Sequence, residues 1–283
     1  MSPSQLIDEL ARSNRNLHQG HALNDFPSHG RIECTRCYPG VERVTFDSTR
    51  RTQGNWRITA NPMAWGSQEP EIVVLGFSKG PTQSGALATA RHDDVAYKGS
   101  RQNVGKILQH VGLLSVRPNE SLSDAVSRVI ADRSGRFHFG SLIRCTVERE
   151  EKDEWKGSGG GMLDKFVATQ FGVEIAKNCM ARFLTTLPRK TKLIVMFGMG
   201  SNLNYVDESF KLFRSVLGGK WERASRVAYT DANVTVVHVE HFASQGNLIP
   251  RWLGLGAHCR SELGAEAIEA VKKALNGRLA GQG

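Results

Sequence analysis

The chain has 283 residues, 40% of them hydrophobic, with 37 Lys and Arg against 28 Asp and Glu. No run approaches the roughly 18 apolar residues of a membrane span, and the N-terminus lacks the basic and apolar regions of a signal peptide. Five cysteines, an odd number, argue against a disulfide framework. A cytoplasmic monomer with reduced or metal-bound thiols is therefore expected, and the net charge of +9 favours a polyanionic partner such as nucleic acid.

Residues 1–30 read as a polar N-terminal extension with one short helix at 5–13. Cys34-Thr-Arg-Cys37 follows. A two-residue spacer lets the backbone turn back and aim both thiolates at one metal or cluster edge. Residues 41–60 are polar and basic and read as loop or weak strand. Residues 71–77, Glu-Ile-Val-Val-Leu-Gly-Phe, are the first clear buried strand and open into the glycine-bearing loop Gly76–Gly85.

After an irregular segment, 101–114 reads as a helix with Val104, Ile107, Leu108 and Val111 on one face. A second helix spans 121–133, with Ser123 as its N-cap. Residues 137–145 form a strand whose last residue is Cys145. The segment 148–162 is charged and ends in Gly157-Ser-Gly-Gly-Gly161, which reads as a flexible, solvated insert or lid. One long helix carrying Cys179 is expected over 163–187, a buried strand over 192–197, a helix over 207–217, a strand over 234–241 and a terminal helix over 261–279.

This alternation means a parallel sheet with helices on both faces and right-handed crossovers. Ligands then bind beyond the carboxyl ends of the strands. Cys34, Cys37, Cys145 and Cys179 make a four-thiolate set that suits an iron–sulfur cluster or a structural zinc, and four unliganded cysteines are the other reading. Cys259 is left over as a structural thiol. The sequence carries no P-loop and no G-x-G-x-x-G, which counts against a phosphate-using metabolic enzyme.

Several pieces line up with one family. A C-x-x-C precedes the first strand, which ends in a glycine loop. A glycine-led helix at Gly99 follows Tyr97. A strand ends in Arg144-Cys145, a helix carries Asn178-Cys179-Met-Ala-Arg-Phe-Leu, and the last strand ends in His241. Over residues 31–275 this resembles the iron–sulfur branch of the uracil-DNA glycosylase superfamily. The resemblance implies one αβα sandwich domain over 31–283 around a four-stranded parallel sheet. It also implies a [4Fe-4S] cluster on Cys34, Cys37, Cys145 and Cys179, with zinc as the alternative, and hydrolysis of a base–sugar bond in DNA.

Residue by residue, the family's first motif matches Gly76, Phe77, Ser78, Lys79 and Gly80, with no carboxylate where members often carry one. The nearest acids are Asp93 and Asp94, expected to position water. Tyr97 sits where the family stacks an aromatic on the flipped base, and Ser141 where many members read the base edge with asparagine. His241 matches the histidine of the last motif, with Phe242 in place of the usual proline. Phe242 and Leu248 are expected as wedges into the duplex, and Lys79, Ser244, Gln245 and Asn247 as DNA contacts. His241 would donate to the leaving base as its negative charge grows. Uracil is the default substrate. The altered pocket keeps open a modified base, phage pyrimidines included, which would make a defence enzyme, or a non-catalytic DNA binder.

Overall fold

A computed structural model describes residues 26–157, 162–231 and 233–276. The helix expected at 5–13 and the glycines at 159–161 lie outside these residues. The described strands, numbered in chain order, are β1 (Gly30–Arg31), β2 (Arg50–Gln53), β3 (Trp56–Thr59), β4 (Met63–Gly66), β5 (Ile72–Gly76), β6 (Phe137–Ser141), β7 (Thr146–Glu151), β8 (Glu154–Gly157), β9 (Leu193–Phe197), β10 (Glu222–Ser225), β11 (Ala228–Thr230) and β12 (Thr235–Val239). The helices are α1 (Pro81–Ala86), α2 (His92–Val95), α3 (Arg101–His110), α4 (Leu122–Ala131), α5 (Met162–Val167), α6 (Gln170–Phe183), α7 (Asn204–Val216), α8 (Leu248–Trp252) and α9 (Cys259–Asn276).

The protein is mixed α/β. Its main sheet has eight strands in the order β1-β4-β6-β5-β9-β12-β11-β10. The pairings β6–β5, β5–β9 and β9–β12 are parallel, and the flanking pairings are antiparallel. Every residue of β5 and β9 is buried, as continuous Ile, Val and Leu runs require when both faces are covered. The flanking strands β1, β4, β10 and β11 escape the sequence reading because they are short and lack period-two alternation.

Four local expectations change. The insert is not a loose excursion up to Gly157: β7 and β8 join β2 and β3 in a second, antiparallel sheet ordered β2-β3-β7-β8. Arg57 fixes that pairing, clasping Glu148 through Nε (2.8 Å) and Nη2 (2.9 Å) while its guanidinium lies 4.3 Å over the Trp155 ring. The strand expected over 137–145 ends at Ser141, so Cys145 sits in the following turn rather than at a strand end. The long helix over 163–187 is broken between α5 and α6. Thr169 caps α6 by accepting from Gly172 N–H (3.0 Å), and a Cβ on Gly172 would fall 1.9 Å from the Phe166 carbonyl oxygen. The glycine thus permits a tight corner. At α4 the N-cap is Ser121, which accepts from Asp124 N–H, and not Ser123.

Candidate functional site

The carboxyl ends of β5, β6, β9 and β12 share one edge of the sheet. Beyond β5 and β6 the chains stay paired, with Leu142 and Ile143 N–H donating to Gly76 and Phe77 carbonyls at 2.8 and 2.9 Å. Gly76 and Ser141 are register partners. Ser78 accepts from Val147 N–H (3.1 Å), which pins this loop to the second sheet.

Tyr97 lies in the left-handed region with φ 52°, a conformation that costs energy for a large side chain and recurs at ligand clamps. Its ring is buried and meets Phe139, Phe197 and Phe242 edge-on at 6.0, 5.7 and 5.1 Å. Its hydroxyl is buried without a hydrogen-bond partner, and burial pushes its pKa up. Phe242 is turned inward onto Tyr97 and Phe197, with its carbonyl accepting from Asn103, so it closes the aromatic group and does not project as a wedge.

His241 lies two residues past the end of β12, half-buried, and stacks on Phe242 at 4.4 Å. Ala243 N–H donates to its Nδ1 (3.1 Å). The neutral ring therefore carries its proton on Nε2, where it can be donated. Desolvation lowers its pKa, only partly opposed by Glu240, and this favours the neutral donor. Glu240 braces the turn: it is buried and accepts from His241 N–H, Ser244 Oγ and Arg260.

The expected acids go elsewhere. Asp93 faces His29 (2.8 Å), and His29, His92 and Asp93 offer ligand atoms within 4.8 Å of one another. His29 Nδ1 accepts from Gly66 N–H, however, so its Nε2 carries the proton and cannot also offer a lone pair to a metal. The trio ties α2 to β4, where His92 Nε2 meets the Ala64 carbonyl at 2.9 Å. Asp94 is exposed. Lys79, expected on DNA, is 2% exposed and points inward to Asn61 Oδ1 (3.3 Å) and the Arg144 carbonyl, out of reach of a phosphate. Ser244 is half-buried, Gln245 and Asn247 are exposed, and Leu248 opens α8, half-buried.

Sequence reading passed over two further features. Leu255 is 67% exposed between Gly254 and Gly256, both with positive φ. The Gly-Leu-Gly spacing was its only signal. Asp164 and Asn204 form a half-buried pair with no motif to mark them.

Three of the four cysteines expected to form a set lie in the interior. Cys37, Cys145 and Cys179 are buried and Cys34 half-buried. Cys179 is within electrostatic reach of Cys34, Cys37 and Cys145. Tyr38 Oη donates to Cys145 Sγ at 3.6 Å. Burial pushes the Cys145 thiol up to about 12, and the Cys37 thiol together with burial raises the Cys179 thiol well above its usual value. Arg51 ties the cysteine loop to α6, donating to the Cys37 carbonyl (3.0 Å) and gripping Glu174 at 2.6 and 2.9 Å.

Two buried cations stand beside the thiols. Arg144 is 1% exposed, makes no ion pair with a carboxylate among the described residues, and lies over Phe183 at 5.3 Å. It fits only because Gly140 has no side chain: a Cβ there would fall 1.7 Å from Nη1. Desolvation brings Arg144 down to about 10 and Lys79 to about 8, and the thiolate forms of Cys179 and Cys145 oppose this.

A cleft of about 590 Å³ opens at the opposite edge of the sheet, lined by Glu71, Arg136, Lys190 and Lys192 among others. Glu71 already neutralises Arg136 (2.8 Å) and Lys192 (3.3 Å). The carboxyl edge has the richer chemistry. Compared with known proteins, the sequence matches no family model and no curated protein. No helix among the described residues is long and apolar enough to cross a membrane.

Proposed function

We propose that the protein is a DNA glycosylase with the αβα sandwich of the uracil-DNA glycosylase superfamily, hydrolysing the bond between deoxyribose and a flipped uracil or other modified base. We further propose a [4Fe-4S] cluster held by Cys34, Cys37, Cys145 and Cys179. The observation that carries this reading is the interior around Cys179. A buried guanidinium without a carboxylate is costly, and the acidic groups within its electrostatic reach are the Cys179 thiol and the Tyr97 phenol. A cluster bound by four thiolates supplies that negative charge. Zinc suits the spacing less well: tetrahedral zinc at about 2.3 Å from sulfur needs sulfurs about 3.8 Å apart, whereas no three described cysteines offer sulfurs within 4.8 Å of one another. When bound, the cluster's role is structural and electrostatic, joining the N-terminal loop to α6.

The bond breaking falls to the chain's own residues. Positive charge grows on the sugar and negative charge on the leaving base, so the site needs a base-side donor and a platform. His241 Nε2–H is the donor, kept neutral by desolvation. The Tyr97, Phe197 and Phe242 rings form the apolar wall, and Ser141 lies at the mouth beside Gly76. Leu255 is the apolar group exposed to enter a duplex.

A panel of oligonucleotides, each with a different base, tests the reading through abasic-site formation. One base should be released, with binding that weakens steeply as salt rises. Gel shifts without abasic sites from any base would mark a non-catalytic binder.

A further inference from the structure

The proposed reaction needs a group that holds the attacking water, and the first-motif loop and Asp93–Asp94 do not supply one. We propose that Asp164 is that group, with Asn204 as its positioning residue. This deepens the glycosylase reading and rests on it.

Asp164 lies in the first turn of α5, and Asn204 opens α7 just beyond the carboxyl end of β9. Asn204 Nδ2 donates to Asp164 Oδ2 at 2.9 Å. That bond fixes the amide's orientation, because the reverse would set oxygen against oxygen. The two remaining oxygens, Asp164 Oδ1 and Asn204 Oδ1, are both buried and neither has a hydrogen-bond partner. Buried acceptors left unmade cost about 1–3 kcal/mol each. A water that gives one proton to each would satisfy both and keep an oxygen lone pair for the sugar.

The pair belongs to the same packed unit as the base-side donor. Tyr205 Oη accepts from Met162 and Leu163 N–H, both at 2.9 Å, and so holds the start of α5. The Tyr205 ring lies 3.0 Å from the Cβ position of Gly198, and His241 Cδ2 lies 3.7 Å from the same point. Gly200, at φ 78°, passes so close to Asn204 that a Cβ would fall 1.8 Å from Oδ1. In the step, the water oxygen bonds to the sugar C1′ as the C1′–N bond breaks. The bond pair leaves with the base, which accepts from His241 Nε2–H, and the water proton passes to the Asp164 carboxylate.

Single-turnover abasic-site formation on the base that the wild type releases is the test. Asp164→Asn should slow the reaction about 10²-fold with oligonucleotide affinity unchanged, and should flatten the acid limb of the pH–rate profile. Asn204→Ala should slow it about 10-fold and keep that limb. Thermal unfolding of both variants guards against misfolding. If the wild type releases no base at all, the glycosylase reading fails and this role goes with it. If the wild type is active and both variants match its rate, or Asp164→Asn changes only which base is released, the glycosylase reading stands and Asp164 is not the water-holding group.

Discussion

The cysteine interior and the strand-end edge use buried polar groups in opposite ways. Around Cys179 the excess is cationic: Arg144 and Lys79 lie within the core beside thiols that are protonated in the absence of a bound group. At the strand ends the excess is in acceptors, with Asp164 Oδ1 and Asn204 Oδ1 unmet and linked through Tyr205 and Gly198 to a half-buried histidine donor. An interior with surplus positive charge calls for a permanent anion. An edge with unmet acceptors calls for a transient donor. The first would suit a structural site, and the second the proposed reaction.

The largest effect expected from this contrast is at the cysteines. Cys145→Ser and Cys179→Ser should abolish iron binding and cut soluble yield about tenfold, since metal-binding energy is folding energy in such sites. Cys259→Ser should do neither, because Cys259 is exposed. One zinc and no iron in anaerobically purified protein would break the iron–sulfur half of the comparison. At the edge, His241→Ala should lower the single-turnover rate roughly 10²–10³-fold with little change in DNA affinity. A variant as fast as wild type on the true substrate would move the site elsewhere.

Next in size is a pH effect from β12 itself. His238 is fully buried between Gly198 and Ser209, and desolvation lowers its pKa to about 4. Its folded form resists a proton that the unfolded chain accepts. Stability from this group is thus complete above pH 6.5 and falls as pH drops from 6.5 toward 4, by about 3 kcal/mol. Urea titrations across that window measure it, and His238→Gln should reduce the slope. Arg144→Met sharpens the charge argument by its sign. It should destabilise the loaded protein by roughly 3 kcal/mol, because an anion loses its counter-charge, and stabilise the metal-free protein. The same sign in both forms would remove the charge-balance argument. The smallest change should be Tyr97→Phe. It deletes a hydroxyl with no partner, so stability should hold or rise by up to about 1 kcal/mol.

What could be read in the chain was whatever is encoded locally. The buried runs that became β5, β9 and β12, the helical stripes of α3 and α4, and the residue types with metal or donor chemistry are all local signals. Asp93 shows where that reading fails. Its place before Tyr97 suggested catalysis, yet His29, more than 60 residues earlier, draws it to the other side. Lys79 looked like a phosphate contact until Asn61 and the Arg144 carbonyl took its ammonium inward.

Sequence by itself determined the alternating α/β order and the buried runs that became the parallel strands β5, β6, β9 and β12. Tertiary structure alone decided that β7 pairs with β3 and β8 with β7 in a second sheet and that Phe242 folds onto Tyr97. It also decided that Arg144 is buried against Gly140 and that Asp164 meets Asn204 across 40 residues. The physical reason is common to these cases. Periodicity reports which face of an element is apolar, because burial is nearly proportional to area. The partner of a polar or charged group is chosen by whichever chain passes within about 3 Å, and nothing local in the sequence records that.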